Sequence, residues 1–140
     1  MLKFKVLVFF ICIFSIKAFT NELTINKNLV INSISIEIMK DADEIFFKEK
    51  VNIDTGELLI KADSAIYSNL KKIITLSGNP SLINSKSKDK KFSGQASKII
   101  FFDNNKIQLS GNATMNYDDL SISSNVIIFN PQNGKISSDE

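Results

Sequence analysis

Leu76-Ser77-Gly78-Asn79-Pro80-Ser81-Leu82 returns as Leu109-Ser110-Gly111-Asn112-Ala113-Thr114-Met115, 33 positions further along the chain. Each copy follows a lysine-led run of strand-forming residues, Lys72-Ile73-Ile74-Thr75 in one case and Lys106-Ile107-Gln108 in the other. Each is followed at some distance by a second apolar run that ends in an aromatic. Self-similarity at a fixed period means stacked copies of one supersecondary unit that cannot bury its apolar face alone. A stack of open β units makes a long apolar trough rather than a compact catalytic cleft.

The repeat extends outward from these two blocks. Phe47-Lys-Glu-Lys-Val-Asn-Ile53 lies over them as a degenerate earlier copy. Ala62-Asp-Ser-Ala-Ile-Tyr67, Ala96-Ser-Lys-Ile-Ile-Phe101 and Ser124-Asn-Val-Ile-Ile-Phe129 lie over one another. Ser33 to Ile38 alternates strictly, with Ile34, Ile36 and Ile38 on one face. Turn residues at Asp54-Thr55-Gly56, Asn69 to Lys72, Asp103-Asn104-Asn105 and Tyr117-Asp118-Asp119 separate β-branched and aromatic runs. That pattern predicts an all-β, antiparallel fold, and no window outside the N-terminus has helical spacing. Gly78 and Gly111 fall inside strand-like runs. They mark either a bulge where a strand turns a corner or a two-residue Gly-Asn hairpin turn.

The N-terminus is of another kind. Met1 to Lys5 is a short basic start, Val6 to Ile16 is a largely apolar run of about eleven residues, and Lys17-Ala18 ends it. The run is shorter than the roughly 20 residues needed to span a bilayer, so it reads as an export signal with cleavage near Ala18 or Thr20. An uncleaved membrane anchor is the alternative. The expected organisation is a signal over 1–18, a polar lead-in over 19–30, a β domain over 31–130 and a polar tail over 131–140.

Cleavage would remove the single cysteine, Cys12, and with it any disulfide or thiol chemistry. It would also remove Lys3, Lys5 and Lys17 from the 17 cationic residues, leaving 14 against 15 acids, a net charge of about −1. The basic balance of the whole chain is therefore an export feature and gives no reason to expect nucleic acid. Histidine, tryptophan and arginine are absent, so the usual metal ligands, pH switch and bidentate phosphate clamp are missing. No Gly-x-x-x-x-Gly-Lys loop is present. Asp54, Asp63, Asp103, Asp118 and Asp119 sit mostly among Gly and Asn, where aspartate bonds its own backbone. The lysine-rich loop Ser85 to Lys91 reads as a solvated connection. The expectation is a protein with no enzymatic activity, metal or cofactor.

A long apolar trough needs one continuous apolar face, which strands of period two supply. The candidates are Ile36 and Ile38, then Phe47, Val51 and Ile53, then Leu58 and Ile60, then Ile74, Leu76 and Leu82. Ile107, Leu109 and Met115 follow, and Ile122, Val126 and Ile128 complete the set. The competing reading is that these residues pack against one another as an ordinary sandwich core. The residues alone leave both readings open.

Ala62-Asp63-Ser64-Ala65-Ile66-Tyr67, the two Leu-Ser-Gly-Asn elements and Gly94 to Phe101, taken in this order, resemble the OstA-like (LptA) family of lipopolysaccharide transport proteins. The resemblance covers roughly residues 31 to 130. It implies an open, twisted β-jellyroll of V-shaped antiparallel strands that holds lipid A acyl chains. It also implies a periplasmic carrier moving lipopolysaccharide from inner to outer membrane, with membrane components of the export system as partners and head-to-tail self-association. The chain is short for such a family and lacks its frequent arginines. An LptC-like, membrane-anchored component of the same system and a β-repeat surface or adhesion protein are the rival readings. A β-helical enzyme acting on polysaccharides is a third, and it predicts acids clustered on one face.

Overall fold

The computed structural model describes residues 29–89 and 91–139. The export signal or anchor, including Cys12, lies outside the described residues. Nine strands form one antiparallel sheet: β1 (Val30–Asn32), β2 (Ser35–Met39), β3 (Glu44–Asp54), β4 (Leu58–Ser68), β5 (Ile73–Ser85), β6 (Phe92–Phe102), β7 (Ile107–Tyr117), β8 (Leu120–Asn130) and β9 (Lys135–Asp139). From β3 onward each strand pairs with the next in sequence. At the N-terminal edge β1 and β2 share one partner, β1 lying against the end of β3 and β2 against its beginning.

The strands are too long and too interrupted to be flat. Register shifts fall in the middle of the β3–β4, β4–β5, β5–β6, β6–β7 and β7–β8 pairings. They line up from strand to strand: Lys48 pairs with Ser64, Ser64 with Ser77, Ser77 with Lys98, Lys98 with Ser110 and Ser110 with Val126. One extra residue at each crossing, or two where β5 is the longer strand, bends the strand that carries it. A row of such bends is a crease, and it divides the sheet into two leaves.

Distances across the sheet show how sharply it folds. Phe92 and Phe101 lie on the same strand, and Phe101 shares a cross-strand row with Ile107 and Phe129. On a flat sheet, Phe92 would be about 30 Å from that row, at roughly 3.3 Å per residue. Instead the Phe92 and Phe129 rings are stacked with centroids 4.6 Å apart. The two leaves close on each other in a V. On the inside of the crease Ala62, Ser81, Ala96 and Ala113 are all buried, because two converging backbones leave room only for small side chains.

The repeat seen in the sequence is this architecture. Each copy is a hairpin, β3–β4, β5–β6 and β7–β8, and the aligned blocks are the bends themselves. Glu49 and Lys50 of the degenerate copy have φ 62° and 48°, matching Gly111 and Asn112 at 85° and 47°. Only glycine enters that left-handed region without penalty, so the first copy holds a strained version of the same bend. The hairpin-turn reading of Gly78 and Gly111 is set aside, since both glycines lie within a strand at a register shift.

The sheet also runs past the limits expected of it. Val30 already belongs to β1, and the tail read as lying beyond the β domain contains β9, paired to β8 from Asn130↔Lys135 to Val126↔Asp139. Lys135 to Asp139 carries only one apolar side chain, Ile136, which packs on the core. Backbone pairing to an open sheet edge holds this strand, and side-chain periodicity does not reveal it.

Candidate apolar trough between the two leaves

Inward-facing side chains form two apolar surfaces. On one leaf stand Phe47, Ile74, Leu76, Ile107 and Leu109, and on the other Val51, Ile53, Ile60 and Met115, all of them buried. Ile122 is next to Met115 and half-buried against the core, as is Leu58. Ile36 and Ile38 face the same side as their partners Phe47 and Ile45. They nevertheless remain 58% and 64% exposed, because β2 is at the edge and none of the described residues covers the trough there.

Three of the expected lining residues lie on the opposite face. The irregularity between Ser77 and Ser81 turns Ser81 and Ile83 inward and leaves Leu82 outside, exposed. On β8 the inward set changes across the crease from Ile122 and Ser124 to Ile127 and Phe129, so Val126 and Ile128 point outward. On β5 and β8 period two breaks at the bend, so extending it through puts the residues beyond on the wrong side, whereas on β3 and β7 the inward set keeps its parity across the bend.

Ile83, Ile99, Ile127, Phe92 and Phe129 were missed and are buried in the trough. The signal was present in the second set of aligned segments. Their fourth and sixth positions (Ala65 and Tyr67, Ile99 and Phe101, Ile127 and Phe129) all pack in or against the core, and the first (Ala62, Ala96, Ser124) sits at the crease.

The trough is filled with the protein's own side chains. Ile60, Leu76, Ile83, Ile99, Leu109 and Ile127 have no exposed surface, as the sandwich-core reading expects. Two contacts bring leaf to leaf at β6 to β8. Phe129 stacks on Phe92 and tilts against Tyr117, with centroids 5.7 Å apart. Gly94 lies under Leu109, whose Cδ2 would be 2.8 Å from a Cβ at position 94. Both contacts involve β6 to β8; the inner face of β3 is buried as well, and the uncovered part of the trough is at β2, where Ile36 and Ile38 stand exposed.

The rims carry polar turns. At the β3–β4 turn Asp54 accepts the Gly56 N–H at 2.8 Å and both its oxygens accept from Lys86 Nζ, at 3.0 and 2.8 Å. The Lys86 bond foremost, and then the Gly56 bond, hold the Asp54 carboxyl below its ordinary value. A depressed carboxylate stabilises the fold above the unfolded value of about 3.9 and loses that contribution as pH falls through the folded value. Asp54→Asn should therefore lower the melting temperature near pH 7, with the difference from the parent shrinking in melts taken below about pH 4. Asp103, Asp118 and Asp119 lie at turns and Asp63 is exposed on β4. Among the described residues no group of three His, Cys, Asp or Glu side chains comes together.

Comparison with known proteins agrees with this geometry. No curated protein matches the chain. Among solved structures, the fold is similar to LptH from Pseudomonas aeruginosa, described as the LptA-homologous periplasmic component of the lipopolysaccharide transport device. The TM-score is 0.73 at 14% identity, over 80% of this chain and 82% of that one. The family model of LptA and the LptD N-terminal domain, lipopolysaccharide transport proteins, matches residues 30–135. A continuous match from the first strand to the last, on a creased β-jellyroll of the LptH kind, means that this chain belongs to the LptA/LptD N-terminal-domain family of lipopolysaccharide transport proteins.

Proposed function

We propose that the protein is a non-enzymatic periplasmic carrier that shelters the acyl chains of lipopolysaccharide between its two leaves on the way from inner to outer membrane. It is exported by its N-terminal segment and works with membrane components of the same system, copies joining head to tail through unlike edges. The observation that carries this reading is the trough: apolar on both inner surfaces, shut at β6 to β8, and uncovered where Ile36 and Ile38 stand exposed.

A shut trough suits transfer better than an empty one. Each acyl methylene taken from water is worth about 0.8 kcal/mol, so a preformed cavity would hold several chains too firmly to release them. Here an incoming chain must displace contacts such as Phe92 on Phe129 and Leu109 on Gly94. The lost leaf-to-leaf contacts offset much of the gain, entry and exit stay nearly balanced, and direction is supplied by an energised partner.

The test is a photocrosslinking scan in cells. A benzophenone side chain at Ile36 or Ile38, inward-facing and exposed, is expected to capture lipopolysaccharide, and one at Leu82, on the outer face, is not. Equal labelling at all three positions, or none at Ile36 and Ile38, overturns the carrier reading.

A further inference from the structure

Ser81 is out of place in the trough. It lies on the inner side of the crease, in register with Ala96, and is wholly buried. Its Oγ has no hydrogen-bond partner. The bend folds Gly78 back over it, so that a Cβ at position 78 would be 2.8 Å from the hydroxyl oxygen. Of the other inward crease positions, Ala62, Ala96 and Ala113 are small and apolar, and Ser124 is half-buried opposite Ala113. Buried hydroxyls are normally satisfied, because leaving one unpaired forfeits its hydration for nothing in return. Alanine, used at the neighbouring crease positions, would fill the same space without that penalty.

We infer that Ser81 is a polar binding point for the cargo. Its hydroxyl pairs with an oxygen carried part-way along an acyl chain, a hydroxyl or an ester carbonyl, when the leaves part to admit it. The inference rests on the carrier reading and deepens it. A trough lined only with hydrocarbon holds any aliphatic chain alike, since burial is non-directional. One unsatisfied hydroxyl on its floor distinguishes chains that bear an oxygen from those that do not. It also fixes how far a chain slides, because the bond forms at one position along the crease. A charged group is excluded, as nothing of opposite charge lines this depth and an unpaired ion there is strongly disfavoured.

The test uses protein purified from cells making the whole chain, with two fatty acids as probes: tetradecanoate and 3-hydroxytetradecanoate. The parent protein should bind the hydroxylated chain roughly three- to tenfold more tightly, the size of one neutral hydrogen bond. Ser81→Ala should abolish that preference and bind plain tetradecanoate as well as the parent does. Its melting temperature should match or exceed the parent's, which shows that the loss is not misfolding. A parent that binds both probes equally, or a preference that survives in Ser81→Ala, overturns the role of Ser81 and leaves the carrier reading standing. Binding of neither probe by the parent overturns both.

Discussion

Phe129→Ala is expected to weaken the fold and at the same time open it to apolar ligands. Phe129 is almost wholly buried, and its ring is the meeting point of the leaves, stacked on Phe92 and tilted against Tyr117. Truncating a buried phenylalanine costs about 3–5 kcal/mol. A domain with a total stability of about 5–15 kcal/mol should still fold, with its urea midpoint lowered by about 1 M or more at a slope of roughly 1–3 kcal/mol/M. Stability loss alone would follow from any core residue. The distinguishing result is faster and greater uptake of an environment-sensitive apolar dye by the folded variant, under conditions where the parent takes up little. A variant that is destabilised but no more receptive would mean that this contact does not hold the trough shut.

The second large effect lies at the crease. Ala96→Leu adds three carbons where Ser81 and Ala113 flank the position and neither is exposed. Overpacking of this kind costs about 1–3 kcal/mol, occasionally more, and the upper end applies because backbones converge on both sides. The neighbouring side chains are already minimal, so the only relief is a wider angle between the leaves, which separates Phe92 from Phe129. Circular dichroism should keep its β signature while thermal unfolding moves down sharply. Leu82→Ile, at an outer-face position, should change little. A melt of Ala96→Leu within a degree or two of the parent would refute the tight crease.

How much of this was legible beforehand follows from where the chain is regular. Hairpins β3–β4, β5–β6 and β7–β8 were readable because turn residues and apolar alternation agree there. The bends were readable as a repeat, even in Phe47 to Ile53, where Glu49 and Lys50 replace the Gly-Asn pair yet keep its left-handed backbone. The sides of residues beyond the bends of β5 and β8 were not. Leu82 and Ile83 are equally apolar, as are Val126 to Phe129, and only the number of extra residues in the bend decides which of them turns inward. Whether the lining residues meet or stand apart was equally out of reach, because it depends on the angle of a fold in three dimensions. The exposed inner face of β2 was hidden for a related reason: Ile36 and Ile38 read as lining like all the others, and their exposure comes from the lack of a further strand beside β2 among the described residues.

The modular hairpins make this sheet a ruler. Each pair of strands adds two inter-strand spacings, about 9–10 Å, along the crease without altering either border. Duplicating Ile73 to Phe102 would therefore lengthen the molecule by that increment while keeping the same β1–β2 and β9 edges. Length and edge chemistry are set by separate parts of the chain, so the number of hairpins can change while both borders stay the same.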